Sequence, residues 1–134
     1  MTIFIGVVFS LLLSACGSGA SPAGQEVVAS WRRVGSWSGR GNLQTQSFTS
    51  ETGEFRVQWE ATNETPAGSG TLKVMFRSGD SGSVIMEAVD HRGAGRGTAL
   101  VGDRPRWYYL TIESANIDWS VTVEEPVIGS TPPP

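Results

Sequence analysis

Glu54-Phe55-Arg56-Val57-Gln58-Trp59-Glu60-Ala61 alternates polar and apolar residues without a break. A period of two puts Phe55, Val57, Trp59 and Ala61 on one face of an extended chain and Glu54, Arg56, Gln58 and Glu60 on the other. Such a strand buries one face and wets the other, as antiparallel sheets do. The alternation recurs where Leu72, Val74 and Phe76 are interleaved with Thr71, Lys73, Met75 and Arg77, and again at Ile117, Trp119, Val121 and Val123. No segment keeps a helical i, i+3, i+4, i+7 spacing for three turns, so no long helix is expected.

Weaker signals fill the intervals. Trp31 to Trp37 supplies a first strand, and Leu43 to Thr49 a polar one. Ser83 to Val89 and Trp107 to Ile112 are apolar on both faces, and Thr98 to Val101 is short. Turn chemistry separates them at Asn63 to Gly70, Ser78 to Gly82, His91 to Gly97, Gly102 to Pro105 and Glu113 to Asn116. About seven or eight short strands punctuated in this way predict an all-β fold, an antiparallel β-sandwich of jelly-roll or Ig-like type. Two packed layers are required because each alternating strand needs a cover for its apolar face. Trp59 and Trp119, each in the middle of an apolar row, are the expected core aromatics. The sandwich is expected over residues 30–125, preceded by a cleaved signal peptide and a tether and followed by a disordered Pro-rich tail over 126–134.

The chain opens with an apolar run, Ile3 to Leu13, and then small residues, Ser14, Ala15, Cys16 and Gly17. As a helix at ~1.5 Å per residue, the segment before Cys16 reaches ~22 Å, short of a ~30 Å hydrocarbon core. A cleaved leader over 1–15 fits better than a transmembrane anchor. Leu13-Ser14-Ala15-Cys16 resembles the lipobox of bacterial lipoproteins. That resemblance implies cleavage between Ala15 and Cys16, diacylation of the Cys16 sulfur, and attachment to the membrane through lipid. The sequence departs from the pattern in one respect: no Lys or Arg precedes the apolar run. An ordinary secretory signal with a free thiol beside its cleavage site is the alternative. Cys16 is the only cysteine, so no internal disulfide can form in an oxidising compartment. Two acyl chains would make the anchoring stable. Gly17 follows the cysteine where an Asp would resemble an inner-membrane retention signal, which favours the outer membrane if the cell is Gram-negative. Residues 16–29 then form the lipidated cysteine and a Gly/Ser-rich tether. Nine such residues, Gly17 to Gln25, reach ~15–18 Å.

The strand Phe55-Arg56-Val57-Gln58-Trp59, the glycine-led Leu72-Lys73-Val74 and the closing Trp119-Ser120-Val121-Thr122-Val123 also resemble small uncharacterised bacterial lipoprotein domains, loosely over residues 35 to 124. These are core and turn positions; the resemblance implies a fold and transfers no functional residue.

The net charge of −3 belongs wholly to the part after the leader, and its ten basic residues are scattered among thirteen acidic ones. No run exceeds Arg32-Arg33, which argues against a nucleic-acid partner. His91 is the only histidine and would need Asp90 and a nucleophile to act, and no Gly-x-Ser-x-Gly elbow exists. Gly93-Ala94-Gly95-Arg96-Gly97 lacks the following helix that a phosphate loop requires. One histidine and a lipid-committed cysteine do not make a zinc site; oxygens near Asp80 and Ser81, or Asp90 and Asp103, match no calcium loop. Glu60, Glu87 and Glu113 are candidates for a paired-carboxylate site with no spacing that selects a pair. The expectation is a non-enzymatic protein with no cofactor and no metal. Aromatics carry the one ligand-binding signal. If Tyr108, Leu110 and Ile112 face the core, Trp107 and Tyr109 project outward beside Arg106, a surface suited to a sugar ring or an envelope protein.

Overall fold

The computed structural model describes residues 27–129; the leader, Cys16 and the segment to Glu26 lie outside the described residues, as do 130–134. Nine strands follow in order: β1 (Val27–Arg40), β2 (Leu43–Gln44), β3 (Phe48–Ser50), β4 (Glu54–Thr62), β5 (Thr71–Ser78), β6 (Val84–Arg92), β7 (Gly95–Gly102), β8 (Arg106–Ala115) and β9 (Asp118–Gly129). They form two antiparallel sheets packed face to face. The first has the order β1-β9-β4-β7; the second runs β2-β8-β5-β6, with β3 also on β8.

β2 and β3 act as one interrupted strand. The pairs β1·β9, β2/β3·β8, β4·β7 and β5·β6 then nest as a single long hairpin with its tip between β5 and β6. Rolling that hairpin up brings β9 beside β4 and β8 beside β5. This is the pairing of a jelly roll, the first of the two sandwich types the sequence allows. Thr45 makes the interruption between β2 and β3 tolerable. Its N–H donates to the Leu110 carbonyl at 3.0 Å. Its Oγ1 accepts the Leu110 N–H at 3.0 Å, a side chain standing in for the strand that has looped away.

The sandwich is longer than the sequence suggests. Val27 pairs with Gly129, so residues expected in the tether and in the tail belong to β1 and β9. Pro126 is no obstacle: beyond Glu124, β9 has β1 as its one strand neighbour, and proline is tolerated where a strand is unpaired on one side.

The core follows the predicted parity. Phe55, Val57, Leu72, Val74, Phe76, Val121 and Val123 are buried, as are Tyr108, Leu110 and Ile112 of β8. Phe55 is the aromatic hub, edge-on to Tyr108 at 5.0 Å and tilted against Phe76 at 5.1 Å. Trp119 is buried and donates its indole N–H to the Gly41 carbonyl at 2.9 Å. Trp59 departs from expectation, being only half-buried. Its register partner on β7 is Gly97, and a Cβ there would lie 2.9 Å from the indole, so the ring lies over a bare backbone at the sheet edge.

Polar ties close both ends. At the end where β1 starts and β9 finishes, Glu125 is buried, accepts a hydrogen bond from the Ser50 hydroxyl at 2.7 Å and pairs with Arg32. Ser50 Oγ in turn accepts the Gly53 N–H at 2.8 Å, fixing the β3–β4 turn. At the opposite end the Glu64 carboxylate accepts the N–H groups of Gly68 and Gly70 at 2.8 and 3.0 Å. Replacing Trp119 with Ala is expected to cost about 3–5 kcal/mol, and Trp59 with Ala clearly less, measured by urea unfolding. Equal losses at the two positions would contradict this packing.

Candidate functional site

β8 alternates cleanly. Tyr108, Leu110 and Ile112 point into the core, and Trp107 and Tyr109 occupy the outer face of the second sheet. Trp107 is 51% exposed. The β5–β6 turn presses on its backbone, where the Gly79 N–H donates to the Trp107 carbonyl at 2.8 Å, but leaves the indole in solvent. Tyr109 is half-buried beneath the same turn; a Cβ on Gly82 would stand 3.2 Å from its hydroxyl.

Arg106 does not join this pair. It shares the parity of Tyr108, so its side chain turns to the core end of the strand, with its guanidinium 5.9 Å from the Tyr108 ring. There its Nη2 donates to Asp103 Oδ1 at 3.0 Å, while Nε lies 2.7 Å from Oδ2 but off the hydrogen-bonding axis. The cation beside Tyr109 is Arg77, its register partner on β5. Arg77 Nε donates to Thr111 Oγ1 and Nη1 to the Gly82 carbonyl, both at 2.9 Å, so the guanidinium is fixed on the outer face. The alternation around Arg77 is visible in the sequence, but its neighbour on β8 is not, because register between strands leaves no mark in either one.

The outer face of the first sheet is mostly polar, with Leu100 exposed on β7 and Trp31 on β1 as apolar exceptions. Gln58, Glu60, Arg96, Thr98, Ser120 and Thr122 line a shallow depression there. Ser36 and Thr122 hydroxyls meet at 3.0 Å on its β1 side. Beyond them Arg56 pairs with Glu124 at 2.9 Å and covers Trp31, its guanidinium 4.4 Å from the ring centre.

The catalytic candidates of the sequence do not come together. His91 lies in β6 rather than in a turn, half-buried with its ring 4.7 Å from that of Trp59. Its Nε2 is 3.5 Å from the Ala94 carbonyl, while Asp90 is opposite Lys73 on the other parity. Glu60 is on the outer face of the first sheet, whereas Glu87 and Glu113 belong to the second, with Glu87 3.9 Å from Lys73. Asp90 and Asp103 stand at opposite ends of the sandwich. Gly95 and Gly97 are strand residues of β7, so the glycine run is a two-residue crossing between the sheets followed by a strand. Among the described residues, no three His, Cys, Asp or Glu side chains converge.

The shifted acid groups are structural. Burial raises the Asp103 carboxyl, but hydrogen bonds from Tyr108 and Arg106 outweigh it and hold the group below its ordinary 3.8. Burial, reinforced by Asp103, pushes the Tyr108 hydroxyl up to about 12. Hydrogen bonds from Asn63 and Arg40 hold Asp118 low in the same way at the other end.

Comparison with known proteins gives no match to a family model, a curated protein or a solved structure.

Because the folded-state carboxyls of Asp103 and Asp118 are depressed, the stability they contribute is present above pH 3.8 and lost as pH falls through the lower folded values. Asp103→Asn and Asp118→Asn should therefore be less stable than wild type at neutral pH and lose less on acidification. Denaturant midpoints between pH 7 and pH 2 measure this, and an acid limb of unchanged slope in both variants would refute it.

Proposed function

We propose that the protein is a lipid-anchored envelope protein whose jelly-roll domain has a non-enzymatic, binding role outside the cytoplasm. The reading rests on Leu13-Ser14-Ala15-Cys16 at the end of a short apolar run. Processing before Cys16 and acylation of its sulfur would tie the chain to a membrane, the outer one in a Gram-negative cell. The fold supports the display that this implies. Val27 and Gly129 are partners at one end of the first sheet, so the segment leading to Cys16 joins the domain there. The turns at the other end, around Gly41, Glu64 to Gly70, Gly93 and Asn116, would then face away from the bilayer and toward an envelope partner. Metabolic labelling with a tagged fatty acid tests the anchor. Wild-type protein should take up label and fractionate with membranes, and Cys16→Ser should do neither; unlabelled wild-type protein would end this reading.

A second reading, a carbohydrate-binding module, is favoured by one observation: Trp107 presents 51% of its surface on a sheet face, with Tyr109 two residues along the same face. The exposed Trp107 ring suits the apolar face of a sugar, and the fixed Arg77 guanidinium beside Tyr109 suits its hydroxyls. On a glycan array, Trp107→Ala is expected to reduce binding at least about tenfold, the scale of one lost aromatic anchor. Glycan binding that survives removal of both Trp107 and Tyr109 would exclude this surface.

A further inference from the structure

The two sheets leave four edges, and three of them carry devices that discourage pairing with another chain. β1 has register shifts between Val28 and Ser30 and between Arg33 and Gly35. β6 is shifted twice against β5, skipping Ala88 and Ile85. β2 and β3 are only 2 and 3 residues long. β7 has neither register shift nor truncation, and Arg96 is its one charged residue. It pairs with β4 from Gly95 to Gly102 without a shift, contains no Pro, Lys, Asp or Glu, and bears Leu100, 67% exposed, on its outward face.

We infer that β7 pairs antiparallel with β7 of a second copy across a two-fold axis through Ala99, joining the two first sheets into one continuous sheet. The register comes from charge and from Gly102. With Ala99 on the axis, Thr98 faces Leu100 of the second copy, and Arg96 faces Gly102. Gly102 is in register with Glu54 of its own chain. Arg96 and that Glu54 are then two strand spacings apart, about 9.6 Å, within reach of the two side chains because glycine puts nothing between them. Among the described residues neither Arg96 nor Glu54 enters an ion pair within its own chain. The symmetric contact makes the pair twice.

Gly102 carries the second argument. From Gly35 onward, every other glycine through Gly97 either has a positive φ or would place its Cβ within 3.3 Å of a neighbouring atom. Gly102 has neither feature: nothing lies within 4 Å of its Cβ position, and its φ is not left-handed. Gly102 ends β7, and its open flank leaves the room through which a second copy's Arg96 passes.

Sedimentation velocity of the purified protein over a concentration series tests the inference. A reversible dimer is expected. Gly102→Arg, at a site with room for the side chain, should fold normally by circular dichroism and weaken the dimer at least about tenfold by setting two arginines face to face. Arg96→Glu and Glu54→Arg should each weaken it as well. Gly102→Arg combined with Arg96→Glu should restore it to within about threefold of wild type, since these positions oppose each other only across the two-fold axis. The inference is overturned by a protein that stays monomeric throughout the series, including one that binds extended peptides along β7 instead. Single variants that associate like wild type, or a double variant no tighter than either single one, overturn it equally.

Discussion

Tyr108 is the side chain on which the sandwich closes. Its ring is wholly inside the core, edge-on to Phe55 of the opposite sheet, and its hydroxyl reaches out to the Asp103 carboxylate at 2.8 Å and to the Arg104 carbonyl. One residue thus joins sheet-to-sheet packing to the turn between β7 and β8, where the chain crosses from the first sheet to the second. The crossing is tight: Asp103 donates its N–H to the Gly53 carbonyl at 2.9 Å, and a Cβ on Gly53 would lie 2.2 Å from the Arg104 backbone. Gly53 also has φ +72, so its lack of a side chain serves conformation and close approach together. A buried phenol with a satisfied hydroxyl stabilises such a junction, whereas a buried hydroxyl left without a partner would weaken it by about 1–3 kcal/mol.

The opposite end is held differently. Asn63 and Asn116 adopt left-handed backbone conformations, and the Thr65 N–H donates to the Asn116 carbonyl at 3.0 Å. Arg40 links the Asn63 carbonyl to Asp118, both at 3.1 Å, and Asn63 donates to the same carboxylate at 2.9 Å. The long β4–β5 connection is therefore a fixed surface tied to β1 and β9, not a loose excursion. With both ends pinned, the distal turns, the two outer faces and the β7 edge are all presented as fixed surfaces. They differ in chemistry. The first sheet presents hydroxyl, amide and charged groups with Leu100 exposed at its β7 edge, and the second a tryptophan and a half-covered tyrosine beside Arg77.

Much of the inward and outward division is legible in the order of the residues. A period of two assigns each side chain of β4, β5, β8 and β9 to a face, and the buried residues of those strands match that assignment closely. The outward placement of Trp107 and Tyr109 follows from it too. The difference between Trp59 and Trp119 does not. Both sit in apolar rows of central strands, yet the Trp59 ring leans over Gly97 toward the sheet edge, while Trp119 lies against Gly39 and reaches Gly41. Which glycine lies beside which tryptophan depends on strands far away in the chain.

The sequence by itself determined the fold class and the faces of the regular strands. These are local properties: a side chain's face depends on its parity along its own strand. Tertiary structure alone decided the jelly-roll order, the replacement of Arg106 by Arg77 beside Tyr109, and the separation of Glu60 from Glu87 and Glu113. Each depends on strand partnership and register, which bring together residues as distant as Arg32 and Glu125. Alternation fixes which way a side chain points. It carries no information about what lies across the gap, because any strand of matching parity would satisfy the same pattern.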